Sequence, residues 1–222
     1  MDHQDWKPVV WTKKVEVKNK NIISIDKNDI KIFSKKTIDK VPWNKYNVDL
    51  VIDATGVKAN VENSKKILSK KLKKVIITHS PEASVDYTLI LGVNEKKYDN
   101  TRHHVISSSI CDASALGPVL HQLDKNFDIE RGFITTLHPR LSYQNILDGS
   151  IKSVSNPGHN WKNFSLGRDS ISNLIPKNTT AVKAVTKCLH NLKDKIDGLS
   201  FRVPTAMVCA SDLTIQLKKK IS

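Results

Sequence analysis

The chain of 222 residues has no glycine-rich turn. Its 8 glycines stand at positions 56, 92, 117, 132, 149, 158, 167 and 198, so no two share a G-x-G-x-x-G window. A dinucleotide pyrophosphate needs that spacing, because only glycine lets the backbone approach it closely at a helix start. Cysteine is equally sparse. The 3 cysteines, Cys111, Cys188 and Cys209, show no C-x-x-C spacing, which argues against a disulfide framework and against a zinc site. Cys188, on a helical pattern, and Cys209, in a strand-like run, read as packing residues. Aromatic residues make up 6% of the chain, and of its 36 basic residues only Arg102, Arg131, Arg140, Arg168 and Arg202 are arginines. Base readout and bidentate phosphate grips draw on arginine clusters and stacking rings. The formal net charge of +14 therefore reads as a solvated, lysine-rich surface that steers anions, rather than as a nucleic-acid interface. No apolar run is long enough to span a bilayer and no signal peptide opens the sequence, so a reducing, cytosolic setting is expected.

What is present centres on Cys111. It closes the Ser-rich turn SSSIC and opens the run DASALGPVLHQLDKNF, in which Leu116, Val119, Leu120, Leu123 and Phe127 recur at helical spacing. A helix with a buried face has a fixed start, and the free N–H groups and positive dipole end there favour a thiolate. The strand-like run GFITTLH ends at His138, an imidazole of the kind that serves such a sulfur as general base. Taken alone, the two also fit a small buried hydrophobe and a satisfied core histidine.

The surrounding text narrows the choice. VDLVIDATGV at 48–57, KKVIIT at 73–78, LGVNEKKYD at 91–99 and VISSSIC at 105–111 are followed by LGRDSISNLIPKNTTAVKAV at 166–185 and GLSFRVPTAMVCASDLTIQL at 198–217. In this order the segments resemble the glyceraldehyde-3-phosphate dehydrogenase family, most specifically from residue 48 onward. The resemblance implies an α/β (α+β) chain with a partial Rossmann-like NAD-binding lobe at 1–108 and a mixed-sheet catalytic lobe at 109–222. It also implies that the family's first βαβ unit and its last strands and helix lie outside this sequence.

The same resemblance implies a chemistry. A Cys111 thiolate adds to a small phosphorylated aldehyde, the adduct gives up hydride to NAD or NADP, and an acyl acceptor resolves the thioester, with His138 as base. Arg202 of FRVPT, with Thr179 and Thr180 of PKNTTA, falls at the substrate and phosphate positions. Thr55 and Gly56 of DATG and Thr78 of VIIT fall at the nicotinamide pocket. A homo-oligomer or a complementing subunit is the implied partner, and a silent remnant acting as a binding module is the alternative.

The chain departs from the family pattern at the nucleophile. Ile110 and Asp112 replace the expected serine and threonine, and a carboxylate beside the sulfur repels both thiolate and inorganic phosphate, by about 1 kcal/mol. Leu141 stands in HPRLSYQ where a phosphate-binding threonine is expected, with Arg140 as a nearby cation. Residues 150–164 form a long counterpart of the family's S-loop, with a Pro157-Gly158 turn and Trp161 as a packing anchor.

Periodicity supplies the remaining elements. VEVKNK, IISID and IKIFSKK read as short strands, and VENSKKILSKKLKK as a helix with Val61, Ile67, Leu68 and Leu72 inward. Val182, Val185, Leu189 and Leu192 mark another helix, capped from Asn178, Thr179 and Thr180.

Overall fold

The computed structural model describes residues 13–79, 81, 85–108, 111–141, 144–150 and 164–220. The first sheet is an antiparallel meander of β1 (Val15–Asn19), β2 (Ile22–Ile25) and β3 (Asn28–Lys31). Asp26 and Lys27 join β2 to β3 with φ of 47° and 68°, the left-handed pair that matches a two-residue turn to the twist of its strands.

A parallel sheet follows in the order β4-β5-β7-β6, from β4 (Leu50–Asp53), β5 (Lys74–Ile77), β6 (Tyr87–Thr88) and β7 (Val105–Ser107). Val51, Val75, Ile77 and Val105 form its core with Val61, Ile67 and Leu72. The sequence predicts one continuous helix over that connection, and the structure breaks it. Helix α1 spans only Lys58–Asn63, and a 3-10 turn at Ser64–Ile67 follows. The Ser64 hydroxyl bonds back to the Asn60 carbonyl at 2.8 Å, and the Ser69 hydroxyl accepts the Leu72 N–H at 3.0 Å. Both serines offer the backbone an alternative to the helical ladder. Val61, Ile67 and Leu72 are buried as predicted and Leu68 is half-buried, but on a broken element.

The third sheet is mixed, in the order β11-β8-β10-β9. Its members are β8 (Ile129–His138), β9 (Ile175–Asn178), β10 (Ile196–Arg202) and β11 (Ala210–Leu217). β8 and β10 run parallel, and the outer pairs are antiparallel. Helices α2 (Cys111–Phe127) and α3 (Ala181–Cys188) cover one face, burying Ala113, Leu116, Leu120, Ala184 and Val185 against Ile134. Val119, expected inside, is exposed, because it lies about 100° round the helix from Leu120. α3 also ends earlier than expected: Leu189 stays buried beyond it, and Leu192 is buried in the 3-10 turn His190–Leu192. The fold is thus α/β, with a parallel sheet and a helix-covered mixed sheet. No helix among the described residues is long and apolar enough to cross a membrane.

Candidate active site

The register of the mixed sheet assembles the site. His138 is the last residue of β8 and lies opposite Arg202, the last residue of β10. Thr136 pairs with Ser200 on one side and Ser211 on the other, while Ser200 pairs with Lys177. Side chains alternate along a strand. His138, Arg202 and Lys177 therefore share the face covered by α2 and α3, and Cys209 joins them two residues before Ser211.

Cys111 begins α2 with φ of 35°, and Val208 precedes Cys209 with φ of 68°. For a β-branched residue the left-handed region is strained, and such strain persists only where the surroundings enforce it. Val208 also explains why β11 starts only at Ala210 and leaves out Cys209, which the sequence reads as part of a strand-like run: the turn there breaks the extended run. Cys209 is consequently an exposed residue at the site and not a packing residue within a strand. Cys188 does pack, its thiol donating to the Thr88 carbonyl at 3.4 Å.

The ring of His138 is held at both nitrogens. Nε2 lies 2.8 Å from an Asp112 carboxylate oxygen, and Nδ1 lies 3.6 Å from the Cys209 sulfur. A carboxylate only accepts, so Nε2 carries the proton and, in the neutral ring, Nδ1 accepts from the thiol. No hydrogen bond joins Cys111 to His138 among the described residues; the expected nucleophile–base contact is replaced by the Asp112 and Cys209 contacts. Burial, then the Asp112 carboxylate, pushes the Cys209 thiol above its ordinary range, with Arg202 opposing.

Two cations complete the region. Arg202 donates through Nη1 to the Pro139 carbonyl at 3.1 Å, and its Nε is buried without a partner. Burial first, and the Arg202 charge second, hold Lys177 below its ordinary range, while Cys111 works the other way. Lys177 was not singled out from the sequence; its only signal was its place two residues ahead of Thr179. Thr179 caps α3, its hydroxyl accepting the Ala181 N–H at 3.1 Å, and Thr180 is the N-cap residue by position. A Cβ at Gly198 would stand 3.3 Å from the Thr179 methyl, which places Thr179 four strand positions from Arg202. Arg140 and Leu141 line a separate open depression of about 520 Å³ with Gln144, Ile146, Ser170 and Ile171. Ile110, Trp161 and the Pro157-Gly158 turn lie outside the described residues.

Thr55, Gly56 and Thr78 gather at the carboxyl ends of β4 and β5, where open α/β sheets bind ligands. Asp53 organises them: its Oδ1 accepts from the Thr55 N–H at 3.0 Å and hydroxyl at 2.6 Å, and its backbone carbonyl accepts the Thr78 N–H at 3.1 Å. Gly56 has φ of 67° and open space around a notional Cβ, and Asp53 Oδ2 is buried without a partner. These residues fit one polar end of a dinucleotide, and a glycine cradle for its pyrophosphate is not among them.

Residues 110–222 match the family model "Glyceraldehyde 3-phosphate dehydrogenase, C-terminal domain", and residues 3–61 match the model of that family's NAD binding domain. The chain belongs to the glyceraldehyde-3-phosphate dehydrogenase family. Glyceraldehyde-3-phosphate dehydrogenase 2 of Streptomyces avermitilis is 36% identical over 200 residues, covering 90% of this chain and 56% of that protein. The Streptomyces coelicolor enzyme is 34% identical over 210 residues, covering 94% of this chain and 59% of its own length. Glyceraldehyde-3-phosphate dehydrogenase 1 of Bacillus cereus is 34% identical over 204 residues, covering 92% and 58%. This family member thus spans between half and two thirds of the length of the relatives it matches.

Proposed function

We propose that the chain carries the catalytic part of a glyceraldehyde-3-phosphate dehydrogenase-type oxidation, with residues 109–222 as the catalytic lobe and 1–108 as a partial cofactor lobe. The observation that supports it is the convergence of His138, Arg202 and Lys177 on the sheet face covered by α2, whose first residue is Cys111.

In this reading the Cys111 sulfur forms a bond to the aldehyde carbon while its proton passes to His138 and on to the carbonyl oxygen. Bound NAD, or NADP, supplies the acceptor for the hydride that leaves that carbon. His138 takes the hydroxyl proton as the thioester carbonyl forms. Water or inorganic phosphate then releases the acyl group, and the sulfur regains a proton. Arg202 and Lys177 hold the anionic end of a small phosphorylated aldehyde, with Thr179 and Thr180 beyond them. Thr55, Gly56 and Thr78 hold the nicotinamide end of the cofactor. Asp112 next to the sulfur disfavours an incoming inorganic phosphate, so hydrolysis of the thioester is favoured over phosphorolysis.

The test is reduced-cofactor absorbance on mixing the purified chain with NAD and glyceraldehyde 3-phosphate, with and without inorganic phosphate, beside a Cys111→Ser control. A signal that needs Cys111 supports the reading, and no signal overturns it. One observation favours a second reading, a silent family remnant that acts as a binding module: both nitrogens of His138 are already engaged by Asp112 and Cys209.

A further inference from the structure

Cys209 and Asp112 have no part in the oxidation described above, yet they hold His138 from opposite sides. The Asp112 carboxylate takes Nε2 at 2.8 Å, and the Cys209 sulfur stands 3.6 Å from Nδ1. We propose that Cys209, His138 and Asp112 are the nucleophile, the base and the orienting carboxylate of an acyl-transfer site that hydrolyses small activated esters and thioesters.

The tautomer is the first argument. With the Nε2 proton committed to a carboxylate, the Nδ1 lone pair faces the thiol, so the ring is set to take a proton from sulfur. A base aimed at a nucleophile and oriented by a third group is the arrangement that activates thiols and hydroxyls on unrelated folds. The second argument is the state of the thiol. Partial burial, then the Asp112 carboxylate, hold it above its ordinary range, so at neutral pH the sulfur keeps its proton until the ring removes it during attack. The third is access with anchoring. The His138 and Asp112 side chains retain only 15% and 11% exposure, whereas Cys209 is exposed, so the base is fixed and the nucleophile is open to an arriving carbonyl. Arg202 ends the neighbouring strand opposite His138, and its buried, unpartnered Nε is a donor available to the oxyanion.

The steps balance without a redox partner. The sulfur bonds to the acyl carbon as its proton passes to Nδ1, the C–O or C–S bond to the leaving group breaks, and Nδ1 returns the proton to the departing oxygen or sulfur. Water, deprotonated by Nδ1, then attacks the Cys209 thioester, which releases the acid and restores the thiol. Neither nicotinamide nor Cys111 takes part.

The experiment mixes the 222-residue chain with p-nitrophenyl acetate, without aldehyde or nicotinamide, so its outcome is independent of the dehydrogenase reading. Turnover to p-nitrophenolate is expected, with an acetyl group on the Cys209 peptide in mass analysis after acid quenching. Cys209→Ser lowers the rate at least about a hundredfold, the smaller end of what a positioned base contributes. Asp112→Ala lowers it at least about tenfold, and Asp112→Asn, whose amide oxygen still accepts from Nε2, recovers most of the loss. Cys209 is exposed, so its variant folds, which a thermal melt verifies, and it decides the matter if Asp112→Ala does not fold. No turnover, an undiminished rate in Cys209→Ser or in folded Asp112→Ala, or acetyl on Cys111 and none on Cys209 overturns the proposal.

Discussion

The Asp112 carboxylate lies 2.8 Å from Nε2 of His138 and ties the first turn of α2 to the last residue of β8. It fixes both the tautomer and the orientation of the ring. Asp112→Ala removes the acceptor from a largely buried donor, so an unfolding titration is expected to show a loss of about 1–3 kcal/mol. Nitrogen chemical shifts of His138 pass from a single Nε2–H tautomer to a mixture. A ring spectrum that does not change on substitution would contradict the assignment.

Lys177 sits where its charge is penalised in the folded chain by burial and by Arg202. Its folded pKa lies below the unfolded value, so the unfolded chain binds more protons between the two, and stability rises with pH from the lowered value up to 10.5. Lys177→Met is expected to raise the melting temperature at neutral pH and to flatten that alkaline rise. If Lys177 holds the substrate anion, KM for glyceraldehyde 3-phosphate increases several-fold with little change in kcat. A variant with a lower melting temperature would refute the burial argument.

Burial pushes the Cys188 thiol from 9.0 up to about 11, against a hydrogen bond to Asn94 and the Lys187 charge. A raised thiol pKa stabilises the fold fully below the unfolded value, and that contribution is lost as pH rises from 9.0 towards about 11. Near neutral pH, iodoacetamide followed by peptide mass analysis is expected to find carboxamidomethyl groups on Cys111 well before Cys188. Equal labelling of the two would show that α3 does not shield Cys188 as described.

Asn60 is a buried bridge between the meander's exit and the candidate cofactor loop. Its Oδ1 accepts the Ile38 N–H at 2.9 Å, and its Nδ2 donates to the Thr55 hydroxyl at 3.0 Å. Asn60→Ala leaves the Ile38 N–H without a partner, and a loss of about 1–3 kcal/mol in denaturant unfolding is expected. Hydrogen exchange at Thr55 to Val57 is expected to quicken in the same variant, because the Thr55 hydroxyl loses its hold; unchanged exchange there would disprove the link.

The mixed sheet has a second face, away from α2 and α3, where Leu137, Leu199 and Phe201 align with Phe133, which is 46% exposed. An apolar row of this kind suits a second copy of the chain. Sedimentation velocity is expected to show self-association that weakens in Phe133→Lys, and a monodisperse monomer at micromolar concentration would count against it.

Much of this was legible in the residues. Alternation and helical spacing located the three meander strands, the strand that ends at His138 and both longer helices, and the ordered segments with FRVPT identified the family, because short-range pattern is what periodicity and motif record. Ser64 and Ser69 broke a helix that the apolar stripe predicted, since a hydroxyl competing for the backbone leaves no trace in hydrophobic spacing. Val119 and Cys209 were misplaced for a related reason: neighbours in other elements, and a left-handed turn at Val208, decide which way a side chain faces.

The sequence by itself determined the family, the α/β class, and that Cys111 opens a helix while His138 ends a strand. The tertiary structure alone decided what surrounds His138. Residues 112, 138 and 209 meet because β8 pairs with β11 and α2 packs across that face, and a contact between elements so distant in the chain is set by sheet register and helix packing, which no local pattern encodes.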